Sequence, residues 1–168
     1  MTKTRIILLA LIAAIVGAAI WYFLPQNIIL RKSAALIDCA RMEDGTGRIE
    51  RAIQAEKLID LTTEHVSVSY PPIQSAFRIP RSQEEAITIP QQQAKAALTY
   101  IMETADWITI DEPQLEVIEL EDERAKVSVS FTMDYQVRKR TAQSIDFTGT
   151  FHFKKLEKEW LVTGVHFE

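Results

Sequence analysis

From Trp107 to Phe167 apolar and polar side chains alternate, and a period of two belongs to strands with one dry face and one wet face. The pattern predicts strands at about 107–120, interrupted near Pro113, then 124–138, 144–155 and 159–167. The middle two fix each other's register. If the chain reverses around Thr141, Val129 faces Phe153, Phe131 faces Phe151, Met133 faces Gly149, Tyr135 faces Phe147 and Val137 faces Ile145. On the opposite face Ser130 meets His152, Thr132 meets Thr150, Asp134 meets Thr148 and Gln136 meets Asp146. A slip of one residue would invert both faces, so the agreement constrains the fold. Arg138-Lys139-Arg140 then falls at the hairpin tip as a solvated charge run.

The residues before Trp107 follow a helical grammar instead. Asn27 can cap a helix running to about Glu43, with Leu30, Ala34, Ile37 and Ala40 on a common face. Thr46 can cap a second, to about Leu61, with an inner face of Ile49, Ala52, Ile53, Leu58 and Leu61. "HVSVSY" alternates as a short strand, and four prolines between Pro71 and Pro90 predict mostly extended loop with one edge strand. Pro90 opens a third helix through Ala94, Ala97, Leu98, Ile101 and Met102 to about Asp106.

Ahead of all this, Ile6–Leu24 carries no charge. As a helix it is about 28 Å long at about 1.5 Å per residue, close to the hydrocarbon core of about 30 Å. A cleaved export signal is the competing reading, with Lys3 and Arg5 as its charged start and Val16-Gly17-Ala18 as a cleavage site. The bulky run Trp21-Tyr22-Phe23-Leu24 argues for retention, because Trp and Tyr favour the headgroup zone. The expected layout is a cytoplasmic tip at 1–5, a membrane signal anchor at 6–24 bounded by Ile6 and Leu24, and one extracytoplasmic domain at 25–168. Lys3 and Arg5 are balanced by Arg31 and Lys32, so charge alone does not orient the anchor. Arg31 and Lys32 oppose the dipole of the helix they open, which suits either anionic headgroups or water.

Charge and chemistry exclude more than they assign. The chain has 19 basic and 23 acidic residues, and Lys3 and Arg5 precede the apolar run, so the domain is acidic and no nucleic-acid partner is expected. Cys39, the single cysteine, lies in the apolar "AALIDCARM" and reads as an inert core thiol. Nucleophile motifs, phosphate-binding glycine loops and dinucleotide fingerprints are absent. The histidines are three; the strand pattern sets His152 and His166 about 13 Å apart at about 3.3 Å per residue, too far for one metal ion. No metal or other cofactor is expected. The inner face of the sheet offers Phe131, Met133, Tyr135, Phe147, Phe151 and Phe153, with Tyr135 and His166 its only titratable candidates, and Tyr100 and Trp160 join them as core or pocket lining.

Three helices, an early short strand and a four-stranded meander closing on "KEWLVTGVHF" resemble the nuclear transport factor 2-like fold, also called cystatin-like, over about residues 28–168. Trp160 after a charged turn, followed by alternation from Leu161 to Phe167, looks like that family's last strand. The resemblance implies an α+β domain in which three helices pack on a curved antiparallel sheet to form a cone. It also implies a choice of function. Some members are ketosteroid isomerases or polyketide-cyclase-like enzymes, which place an Asp or His base inside the cone. Others are association or scaffold modules, among them the inner-membrane scaffold of type IV secretion machines, with one membrane helix before such a domain. Asp134, Asp146 and His152 fall on the outer face, so the reading preferred from sequence is a single-pass membrane protein with a non-catalytic binding or assembly domain. Its partners would be the membrane and a second copy or an envelope complex; a small-molecule ligand is not specified.

Overall fold

The computed structural model describes residues 3–70, 83–138 and 140–168, with side chains from residue 11 onward except those of residues 83–85. The helices are α1 (Lys3–Phe23), α2 (Pro25–Asp38), α3 (Arg48–Leu61) and α4 (Gln91–Thr104). The strands are β1 (Thr62–Tyr70), β2 (Gln83–Pro90), β3 (Ala105–Ile110), β4 (Gln114–Leu120), β5 (Arg124–Val137), β6 (Gln143–Leu156) and β7 (Glu159–Phe167). They form one sheet in the order β2-β1-β7-β6-β5-β3, with β4 continuing beside β5 along the same edge. The architecture is α+β. The sheet is mixed rather than antiparallel, because β1 and β7 run parallel. A parallel neighbour needs a long crossover, and alternation within a strand carries no information about which way its neighbour runs.

Strand β5 pairs with β6 so that Val127 meets Phe151, Val129 meets Gly149, Phe131 meets Phe147 and Met133 meets Ile145. The expected pairing is therefore displaced by four residues, because the chain reverses earlier than Thr141; Arg138, just past β5, takes a positive φ of 48°. An even displacement leaves every side chain on its expected face. Ala125, Val127, Val129, Tyr135, Val137, Phe151 and Phe153 are buried, while Asp134, Asp146 and Thr148 are exposed.

Helices α2, α3 and α4 close the inner face. Pro25 supplies the first turn of α2, where its missing N–H costs nothing, and α2 ends at Asp38 rather than Glu43. Asn27 is inside the helix and donates to Trp21 O instead of capping. Ile29, Ser33 and Ile37 face the sheet, and the Ser33 hydroxyl is satisfied by Ile29 O at 3.0 Å. Beyond α2, Met42 and Ile108 exchange two backbone hydrogen bonds of 2.8 Å, which ties the helix exit to β3. Helix α3 starts after Gly47, whose N–H donates to Glu50 Oε2 at 3.1 Å, not at Thr46. Its buried residue is Ala55; Ile49 and Ile53, expected inside, are 77% and 55% exposed. Arg51 explains the rotation: its guanidinium bonds Thr46 O and Met102 O, which brings the arginine face of α3 to the end of α4.

The edge strand expected among the prolines is β2, paired with β1. Residues 71–82 lie outside the described residues, as does Lys139 of the tip. Among the described residues no single helix is long and apolar enough to cross a membrane. Leu11–Phe23 with Pro25–Asp38, bent by 61°, passes that test as a pair by length and composition.

Candidate functional site

The inner face of the sheet is packed with apolar side chains. Phe151, Tyr135 and Trp160 are buried there, and Phe131, Met133 and Phe147 are half-buried. Phe131 and Phe147 stack at 5.1 Å, and Phe167 packs against both and against Phe151. The Tyr135 hydroxyl hydrogen-bonds Gln143 Oε1 at 2.6 Å. Two of the expected lining residues are elsewhere. Tyr100 is 41% exposed on the outer side of α4, beside Gln92, Lys95, Thr99 and Glu103 in a shallow depression. His166 is on the outer face of the sheet, and Val165 and Phe167 take the inner positions.

A β-bulge moves His166. Phe153 pairs with Val162, but its neighbour His152 pairs with Gly164, so Thr163 is the extra residue. One inserted residue reverses the facing of everything after it. Trp160 and Val162 before the bulge, and Val165 and Phe167 after it, all face the helices. The same step puts His166 beside His152, with ring centres 4.8 Å apart and planes inclined by 59°. The 13 Å separation expected from unbroken alternation is thereby overturned. A glycine inside an alternating strand is the sequence signal for such a bulge, and Gly164 was there to be read.

Two cross-strand rows surround the imidazoles. Glu119, Lys126, His152, Gly164 and Ser67 form one row across β4, β5, β6, β7 and β1. Ser128, Thr150, His166 and Ser69 form the next. Ser69 is 8% exposed, and its Oγ lies 2.9 Å from His166 Nδ1. A Cβ built on Gly164 would stand 3.0 Å from His166 Nε2 and 3.5 Å from His152 Cβ, so the glycine is the floor on which both side chains rest. Lys126 Nζ is 2.6 Å from Glu119 Oε2. Burial, the neighbouring His166 and then Lys126 hold the His152 pKa below the usual histidine value, against a smaller opposing pull from Glu119. Among the described residues no three His, Cys, Asp or Glu gather at one point.

Cys39 is buried, and its thiol bonds Ala35 O at 3.2 Å. Burial pushes its pKa up to about 11, with Lys57 pulling down and Asp38 adding slightly. The thiolate is the nucleophile, so this sulfur is unreactive at neutral pH.

At the other end of the molecule the joint between α1 and α2 is built around Arg31. Its guanidinium carbon lies 3.4 Å from the Tyr22 ring centre, and Nη1 donates to Tyr22 O at 2.9 Å. Lys32 approaches Glu159 at 4.0 Å. The two basic residues that oppose the α2 dipole thus have protein partners, a π face and a C-terminal carbonyl for Arg31 and a carboxylate for Lys32. Every residue from Leu11 to Gln26 is exposed.

No family model matches the chain, and no curated protein matches it. Solved structures do. The Kfla4162 protein of Kribbella flavida aligns at a TM-score of 0.64 with 10% identity, over 83% of this chain and 86% of that one. A candidate scytalone dehydratase from Novosphingobium aromaticivorans aligns at 0.50 with 16% identity, over 71% and 80%. A candidate calcium/calmodulin-dependent protein kinase II association domain from Xanthomonas campestris aligns at 0.50 with 17% identity, over 82% and 84%. At such identities the likeness is one of fold, and the fold is nuclear transport factor 2-like.

Proposed function

We propose that the chain is a single-pass membrane protein whose nuclear transport factor 2-like domain, held outside the cytoplasm, works by binding or assembly rather than by catalysis. The observation that carries this reading is α1. Its described residues include Leu11, Ile12, Ile15, Val16, Ile20, Trp21 and Phe23, each about half exposed or more, and among the described elements the one it packs against most is α2. A contiguous apolar rod of this kind is stable in water only when something covers it, and hydrocarbon fits a surface that is apolar all round. Trp21, Tyr22 and the Arg31 clamp then mark the level at which the chain leaves the bilayer, since aromatic and basic side chains collect there.

The interior supports binding over chemistry. An acid–base centre needs a carboxylate or imidazole desolvated within the cone, and the described inner face presents Phe131, Met133, Phe147, Phe151 and Trp160 around a Tyr135 whose hydroxyl is already hydrogen-bonded. On this reading the partners are the bilayer and a protein of the envelope, a second copy included. Expressed at full length, the protein should stay in the membrane pellet through alkaline carbonate and enter detergent. Its intact mass should include residues 1–24. Release by carbonate, or a mature start near Ala19, would refute the anchor. A cysteine placed at Arg140 should react with an impermeant maleimide in whole cells; reaction only after lysis would put the domain inside.

A further inference from the structure

We propose that His152 and His166 form a two-imidazole site for a divalent late transition-metal ion, with Cu2+ preferred. The inference is independent of whether α1 is anchored, because it rests on the outer face of the sheet alone. Its basis is the distance between the rings. A metal about 2.0–2.1 Å from an imidazole nitrogen lies about 3.2 Å from the ring centre, so two rings sharing one at an angle of about 90–110° stand about 4.5–5.2 Å apart. The rings here are 4.8 Å apart.

The direction of the nitrogens is as informative. His166 Nδ1 is occupied by Ser69 Oγ, a hydroxyl sealed between β1 and β7. When Nδ1–H donates to that oxygen, Nε2 is left bare. A partner on the far nitrogen that fixes tautomer and ring plane is the arrangement by which proteins prepare a histidine for metal. Nε2 in turn lies over Gly164, whose cross-strand neighbour is His152. A Cβ at position 164 would press on the His166 ring, 3.0 Å from Nε2 and 3.3 Å from Cδ2, and stand 3.5 Å from His152 Cβ. The second torsion of histidine is broad, so His152 can turn a nitrogen to the same point without leaving a rotamer well.

Lys126 stands next to His152 and is paired with Glu119, which offsets part of its charge there. Two nitrogens with water in the remaining positions suit the tetragonal preference of Cu2+, which also heads the divalent affinity order for such ligands. Unbroken alternation would hold the rings about 13 Å apart at about 3.3 Å per residue, too far to share an ion; at 4.8 Å that ground is gone.

The test uses the full chain in detergent micelles and Cu2+ itself. One Cu2+ should bind per chain, with spin-echo modulation in the wild-type protein reporting two equatorial imidazoles. His152→Gln and His166→Gln should each weaken binding at least tenfold and reduce the count to one, while Ser69→Ala weakens it about tenfold with both imidazoles retained, as expected for a residue behind a ligand. His65→Gln should change nothing, and Zn2+ should compete at higher concentration. A wild-type signal with one imidazole or none, or affinity undiminished in both glutamine variants, would overturn the proposal. The wild-type spectrum decides it even if a variant fails to fold.

Discussion

Gly149 and Gly164 interrupt two neighbouring strands for different reasons. A Cβ at Gly149 would come 2.1 Å from His166 O and 2.8 Å from Phe167 Cα, so backbone occupies the space a side chain would need. At Gly164 the nearest atom is the end of a side chain, His166 Nε2 at 3.0 Å, which can swing away. Gly149→Ala should therefore lower stability by about 1–3 kcal/mol or more, the range for forcing atoms into filled space, and Gly164→Ala by clearly less. Urea unfolding midpoints of the two variants compare them directly, and equal losses would contradict the geometry. His152 adds a pH dependence. Its pKa is lowered in the folded state, so the unfolded chain binds the proton more readily. Stability should fall as pH drops below the unfolded value of about 6.5 and level off below the folded one. That slope should shrink in His152→Gln, as read from urea midpoints between pH 5 and 8. Facing was legible residue by residue in β5 and β6, where Tyr135 and Phe151 are buried as expected. Past Thr163 it was not, because one inserted residue reverses the parity on which the inference depends.

Helix α3 shows why an apolar stripe misleads at the scale of an element. Ile49 and Ile53 form a regular apolar row with Ala52, yet the helix buries Ala55 at 0% exposure and turns the isoleucines outward. What sets the rotation is polar: Arg51 reaches Met102 O at 2.6 Å and supplies a donor to the C-terminal end of α4. A guanidinium bonded to carbonyls loses more when displaced than an isoleucine loses in water, since the carbonyls would be left without that donor. Ile49→Ser should accordingly change stability by no more than about 0.5 kcal/mol, whereas Ala55→Leu should cost about 1–3 kcal/mol through overpacking. The reverse order, measured by thermal or chemical melts, would mean that α3 sits in the orientation its sequence suggests. Strand existence was readable from period two and strand partners were not. The β5–β6 register moved by four residues because turn length lies in the loop, and the parallel β1–β7 contact joins segments that alternation cannot relate. The imidazole pair went unseen for the same reason, being made by a bulge and completed by Ser69 from a strand far away in sequence.

For the whole molecule, the division into a rod and a domain makes a prediction about cooperativity. No described residue between Leu11 and Gln26 is buried, and among the described elements α1 packs mainly against α2. The side-chain hydrogen bonds at the joint, Arg31 to Tyr22 O and Asn27 to Trp21 O, are both exposed, so water can replace them. The core runs from Ile29 in α2 to Val162 in β7 without using α1. Removing residues 1–24 should thus leave both the urea midpoint and its slope unchanged when the two chains are compared in the same detergent, because the slope follows the surface newly exposed on unfolding and α1 has none to add. Cys39 provides a second reading of the same transition. Its thiol is buried and its pKa raised, so alkylation at pH 8 should proceed only through opening of the core. The modification rate should be equal in the full and shortened chains and should rise with urea in step with unfolding. A lower midpoint or faster labelling in the shortened chain would show that α1 braces the domain through α2, and the two parts would then have to be treated as one folding unit.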